Sequence, residues 1–110
     1  MTQGGAVPQV PATEVPADAY LLDVREPDEW EAGHVPGALH IPIGELNARY
    51  TEIDRAPALY VICRSGNRSD YAARALAGAG WQAHNVSDGM IGWQAAGRPM
   101  TSESGQPFVA

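Results

Sequence analysis

One stretch of this 110-residue chain gathers side chains that can do chemistry together: Cys63-Arg64-Ser65-Gly66-Asn67-Arg68, followed by Ser69. It lies between the most strand-like run, Leu59-Tyr60-Val61-Ile62-Cys63, and the most helix-like one, Ser69 to Ala79. A loop passing from a strand into a helix start offers unpaired amides and about half a positive charge, so it suits an anion. Consecutive loop amides can also converge into a concave nest. Gly66 and Asn67 are residue types that tolerate positive φ, which so tight a loop needs, and Arg64 and Arg68 add two guanidiniums. The same field acts on the thiol. A free cysteine ionises near about 8.5, and a helix N-terminus with adjacent cations lowers that value by one to several units. Cys63 is therefore expected to be a thiolate nucleophile at neutral pH, with Arg64, Ser65, Gly66, Asn67, Arg68 and Ser69 around the anion it attacks. No histidine lies near in sequence, so activation is expected from the electrostatic cradle, with His34, His40 and His84 available only if folding brings them close. The plainer alternatives are a packing cysteine and an anion-binding turn without chemistry. An inert core cysteine gains nothing from five small or polar residues directly after it.

The surrounding charge is of the wrong sign for anions. Seven arginines and no lysine stand against thirteen acids, for a formal charge of -6. Such a field repels nucleic acid and anionic membrane, so an anion has to be captured by a local feature. With 45% hydrophobic and 18% charged residues, the composition is that of one soluble globular domain. A single cysteine excludes an internal disulfide and makes no demand for an oxidising compartment. The first 24 residues contain neither Lys nor Arg nor an apolar run, so no secretory signal or membrane span is expected and cytoplasm is the default. The three histidines have no metal-like spacing with one another or with Cys63, so no metal or other cofactor is expected.

The elements that must position the loop follow from pattern. Residues 1–9 and 101–110 are polar and rich in Gly, Ser and Pro, which predicts flexible tails around a domain over residues 10–100. Tyr20 to Val24 and Leu59 to Cys63 suit buried strands, and Ala38 to Pro42 and Gln82 to Val86 suit shorter ones. Glu26 to Gly33, with Pro27 early and acids in the first turn, predicts a short helix whose Asp28, Glu29 and Glu31 are solvated. Glu45 to Ile53 and Ser69 to Ala79 predict two more. In the latter, Tyr71, Ala72, Ala75, Leu76 and Ala79 share one face. A last helix is expected between Asp88 as N-cap and Gly97. Strands alternating with helices give an α/β class with a mostly parallel central sheet and helices on both faces, whose ligands sit at the carboxyl ends of strands.

Four motifs resemble the single-domain rhodanese-like sulfurtransferases over roughly Val10 to Met100. They are Leu21-Leu22-Asp23-Val24-Arg25-Glu26; Trp30-Glu31-Ala32-Gly33-His34-Val35-Pro36-Gly37-Ala38 running on to Ile41-Pro42; the loop from Cys63 to Arg68; and Gly89-Met90 with Trp93, Gly97 and Pro99. The resemblance implies a rhodanese-like domain and a ping-pong cycle. The loop cysteine takes a sulfane sulfur from a small anionic donor such as thiosulfate, becomes a persulfide and passes the sulfur to cyanide, a thiol or an acceptor protein. It implies supporting roles for Asp23 and Arg25, against the alternative of a surface ion pair, and an apolar rim from Met90 and Trp93, against plain packing. Related phosphatases place five residues between Cys and Arg, whereas four separate Cys63 from Arg68 here. Two loop arginines resemble users of thiosulfate more than of mercaptopyruvate. Where the family often has Gly-Gly before the last helix, this chain has Asp88-Gly89. The other readings are a sulfur-carrying or regulatory module with little free turnover and, behind it, a Cys-dependent phosphatase.

Overall fold

The computed structural model describes residues 6–55 and 57–110. Its strands are Gln9–Val10 (β1), Tyr20–Asp23 (β2), Leu39–His40 (β3), Leu59–Ile62 (β4) and Ala83–Val86 (β5). They form one sheet in the order β1-β5-β4-β2-β3, every pair parallel. The helices are Pro27–Ala32 (α1), Leu46–Arg49 (α2), Asn67–Gly78 (α3) and Gly89–Ala95 (α4). The expected α/β class and parallel sheet with helices on both faces are thus what the chain adopts. None of these helices is long and apolar enough to cross a membrane.

Period-two alternation in the strands divides the core between the two faces. Leu22, Leu59 and Val61 point to one face, where Ala72, Ala73 and Leu76 of α3 cover them. Leu21, Ile62 and Val86 point to the other, against Met90 and Trp93 of α4 and the Ala12 and Val15 segment. β4 is central, flanked by β2 and β5 and covered on both faces, which is why it is the most continuously apolar run. Its carboxyl end delivers Cys63.

Several local expectations change. Tyr71 is 73% exposed, and the buried face of α3 consists of Ser69, Ala72, Ala73 and Leu76. That rotation turns a polar residue, Ser69, inward at the helix start. The predicted helix over Glu45 to Ile53 is broken into a 3-10 turn, the single turn of α2 and a second 3-10 turn. Its inward apolar side chains, Leu46 and Ile53, are too few to hold an uninterrupted helix on the sheet. Asp88 does not cap α4 with its side chain. Its carboxylate accepts the Ala12 N–H at 2.8 Å and so ties the segment after β1 to α4.

The ends also carry structure that composition does not reveal. Met1 to Gly5 of the expected N-terminal tail lie outside the described residues, but Val7 is buried and Gln9 and Val10 pair with Asn85 and Val86. Beyond residue 100, Thr101 and His34 exchange backbone hydrogen bonds, and Phe108 N–H donates to the Ala32 carbonyl. A side chain at Gly33 would meet the Phe108 backbone and the Met100 methyl, so this segment lies tight against the end of α1.

Asp23 and Arg25, at the end of β2, are both fully buried, which excludes a surface ion pair. Arg25 reaches Asp23 through Nε at 3.0 Å and Nη2 at 2.8 Å, and donates onward to the carbonyls of Glu29 and Gly33. The pair therefore locks α1 to the sheet end next to the loop. Truncating one partner of such a pair strands a buried charge. Asp23→Ala is expected to lose about 3–5 kcal/mol in denaturant unfolding. A loss under about 1 kcal/mol would mean that the pair behaves like an exposed one.

Candidate active site

The loop between β4 and α3 wraps its own cysteine. Gly66 N–H and Ser69 N–H donate to Cys63 Sγ at 3.2 and 3.3 Å, and Ser69 Oγ lies 3.2 Å away. Gly66, the N-cap of α3, has no side chain to receive the helix's first amides. The sulfur takes that place, accepting the N3 amide of Ser69 as a capping oxygen would. Gly66 reaches the required φ of 103°, and a side chain there would run into the Ser87 carbonyl. Asn67, by contrast, has ordinary negative φ and begins α3, two residues before the predicted start at Ser69.

The loop's carbonyls point the other way because α4 claims them. Met90 N–H donates to the Cys63 carbonyl at 2.8 Å, and Ile91 N–H to the Arg64 carbonyl at 3.0 Å. Gly89, at φ 56°, sits so close that a side chain would meet both carbonyls. The contribution of α4 is therefore its backbone. Met90 and Trp93 are buried in the core and form no rim, since they fill the space under the sheet that a rim position would leave empty. The exposed Ile91 is the apolar side chain beside Arg64.

The guanidiniums are placed differently from expectation. Arg68 is held in a two-pronged ion pair, Nη1 and Nη2 to the two carboxylate oxygens of Glu29, each at 2.8 Å. Arg64 is exposed and donates through Nε to the Ala110 carbonyl at 2.9 Å. Glu29 was expected to be solvated. No local pattern could have paired it with a residue 39 positions away. Its carboxyl is pulled down to about 2, first by the Arg68 hydrogen bonds and with help from the Glu26 amide, against its own partial burial.

Burial pushes the Cys63 thiol up, but the Ser69 hydroxyl and the amides of Ser69, Gly66 and Ser65 more than offset this, leaving it below the ordinary thiol value. The lowering thus comes from neutral dipoles at contact distance. Cys63 is also 1% exposed, so the sulfur is covered at rest, though by the polar loop as well as by hydrocarbon. Ser65 and Asn67 are exposed, whereas Gly66 and Ser69 are buried against the sulfur. Asn85 of β5, absent from the predicted site, joins it by lying 2.6 Å from Ser69 Oγ and donating to the Gly66 carbonyl. Its sequence signal was slight, a polar residue next to His84 in the short strand Ala83–Val86. No cluster of metal-ligating side chains occurs among the described residues.

The family profile described as the rhodanese-like domain matches residues 11–96. The chain belongs to the rhodanese-like family. The solved rhodanese-related protein from Thermoplasma volcanium superposes with a TM-score of 0.82 at 31% identity, over 87% of this chain and 99% of the other. The putative sulfurtransferase YtwF of Bacillus subtilis is 35% identical over 78% of this chain and 84% of its own length. The putative sulfur carrier protein YrkF of the same organism is 45% identical over 66% of this chain, which spans only 40% of that longer protein.

In this rhodanese-like domain the Glu29–Arg68 pair makes a pH prediction. The fold depresses the Glu29 carboxyl from 4.5 to about 2, so the pair's contribution is complete above the unfolded value and is lost as pH falls through that window. Glu29→Gln should therefore flatten the dependence of unfolding free energy on pH between those values. An unchanged slope would mean that the pair is not formed in solution.

Proposed function

We propose that the protein is a sulfurtransferase in which Cys63 carries a sulfane sulfur as a persulfide. The observation that carries the reading is the convergence of two backbone amides and one hydroxyl on a single sulfur at the carboxyl end of the central strand. In the loading step the Cys63 thiolate attacks the outer sulfur of thiosulfate. A new S–S bond forms at Sγ, the S–S bond of thiosulfate breaks, and sulfite leaves with the electron pair. In the unloading step cyanide or a thiolate attacks the outer sulfur, and Cys63 leaves as the thiolate that the loop stabilises. Among the described residues Arg64 engages the chain through Nε, which leaves its outer nitrogens to meet an anionic donor. With one cysteine the chain cannot resolve its own persulfide, so the acceptor comes from outside. A free thiol of this kind suits a reducing, cytoplasmic setting.

Burial favours a second reading, in which the sulfur arrives from and leaves to a partner protein and free thiosulfate turns over slowly. Cys63 is 1% exposed, and Arg68 is engaged by Glu29. The name of YrkF, a putative sulfur carrier, is in keeping with this version.

The test is intact mass. Thiosulfate should add one sulfur atom to the protein, cyanide or a thiol should remove it, and Cys63→Ser should accept none. Absence of the adduct on the unmodified chain overturns the reading. Loading that is complete while steady-state turnover with small acceptors stays low would favour the carrier version. An aryl phosphate should not be hydrolysed.

A further inference from the structure

Behind the sulfur, a line of polar groups runs out to the sheet edge, and its hydrogen-bond directions are fixed by the number of protons available. Gln9 Nε2 lies 3.2 Å from the Val7 carbonyl and 2.8 Å from Asp70 Oδ1, two groups that only accept. The Gln9 amide is therefore oriented with its nitrogen toward them and its oxygen toward Asn85. Asn85 Nδ2 donates to that oxygen at 2.8 Å and to the Gly66 carbonyl at 3.1 Å. Asn85 Oδ1 is consequently the atom left facing Ser69 Oγ, 2.6 Å away. Ser69 has one hydroxyl proton and two groups that claim it, Asn85 Oδ1 and Cys63 Sγ. Ser69 is fully buried and Asn85 is 2% exposed, so bulk water does not stand in for the missing donor.

We propose that Asn85 is a positioning residue that holds the Ser69 hydroxyl proton while Cys63 is a thiol and has to yield it when the thiol ionises. In the thiol state the S–H donates to Ser69 Oγ and the hydroxyl donates to Asn85, so each buried group is paired. On ionisation the thiol proton leaves to solvent, and the hydroxyl proton stays on Ser69 but can satisfy only one neighbour. Turned to the sulfur, it leaves the Asn85 oxygen facing a lone pair. Left on Asn85, it leaves the thiolate facing one. Either arrangement sets two acceptors against each other in a buried site, although the thiolate keeps the Gly66 and Ser69 amides throughout. Asn85 therefore opposes the thiolate that the amides favour, and Gln9 and Asp70 hold the polarity of the line. Formation of a persulfide removes the conflict, because the inner sulfur is then neutral and the hydroxyl proton returns to Asn85. The relay thus favours the loaded cysteine over the free thiolate. This goes beyond the proposed reaction, and its readout, ionisation of the sole thiol, does not depend on which sulfur donor the protein uses.

Other charged or titratable groups on the elements around Cys63 are Arg64 of the loop, Arg68, Asp70, Tyr71 and Arg74 of α3, Tyr60 of β4, Asp28, Glu29 and Glu31 of α1, Tyr20 and Asp23 of β2 with Arg25 just after it, His84 of β5 and Asp88 before α4. They are common to every arm of a double-mutant cycle, which isolates the path through Ser69. Far-ultraviolet thiolate absorbance of the intact chain reports the titration. Asn85→Ala is expected to move the midpoint down and to raise the thiolate fraction on the acid limb about threefold. In a Ser69→Ala background the same substitution should produce no downward shift. A midpoint that stays or rises in the first comparison, or an equal shift in both backgrounds, overturns the proposal. Asn85→Ala also removes the bond to Gly66. Gln9→Ala, at the exposed sheet edge, spares that bond and removes only the second acceptor that fixes the Asn85 amide, which loosens the hold of its oxygen on the Ser69 hydroxyl. It should give a smaller shift in the same direction. If Asn85→Ala does not fold, an unchanged midpoint in Gln9→Ala overturns the proposal by itself.

Discussion

The sulfur of Cys63 completes a helix. α3 begins on a glycine that has no capping side chain, and the N3 amide turns to Cys63 Sγ instead. The unmet need of a helix start and the unmet charge of a thiolate are thereby satisfied by one contact. Most of the architecture serves this contact. β4 brings the cysteine to the sheet's carboxyl edge, Gly66 reverses the chain at positive φ, and the small residues Ala72 and Ala73 let α3 lie close to the strands. α4 supplies the complementary half, because its first amides bind the carbonyls of Cys63 and Arg64. Each peptide of the loop has an N–H end and a carbonyl end, and α4 takes the carbonyls, which leaves N–H groups for the sulfur.

The arginines act at one remove. Arg25, buried with Asp23, clamps the backbone of α1 through the Glu29 and Gly33 carbonyls. α1 then presents the Glu29 carboxylate to Arg68. A buried ion pair on one strand end thus fixes the acid that fixes the loop's cation. The guanidinium of Arg68 orients the start of α3 from outside, while the groups touching the sulfur are neutral. This division accounts for a thiol lowered by hydrogen bonds even though both loop arginines are engaged elsewhere in the chain.

What was legible in the sequence is what depends on local pattern. The apolar runs of β2 and β4, the alternation of strand and helix, and the loop bounded by Cys63 and Ser69 are all short-range signals, and each is present. Losses occur where a long-range contact decides. Tyr71 has the size and period of a core residue but lies on the solvent side, because Ser69 has to face the sulfur. Gln9 and Val10 look like tail until β5 offers an open edge. Glu29 looks like a solvated acid until Arg68 meets it, and Met90 and Trp93 resemble a rim until the lower face of the sheet needs filling. Asn85 is the clearest case, since its partners come from β1, the loop and α3, and none of them lies within 15 residues of it in sequence.

The net charge of -6 sets a further constraint, and distance decides its weight. At physiological ionic strength a field from scattered surface carboxylates is screened over about 8 Å. The donors to Cys63 act at 3.2 to 3.3 Å, inside a region from which solvent is largely displaced, where a dipole acts with little screening. An acidic protein can therefore hold a thiolate without a surplus of cations, provided that the amides are already aimed before the charge appears. The backbone meets that condition here. The N–H groups are held by the start of α3 and the carbonyls by the start of α4, so the loop needs little rearrangement when the thiol ionises. The Ser69 hydroxyl is the exception, because it alone among the donors to the sulfur can rotate, and so the state of the sulfur is registered there first.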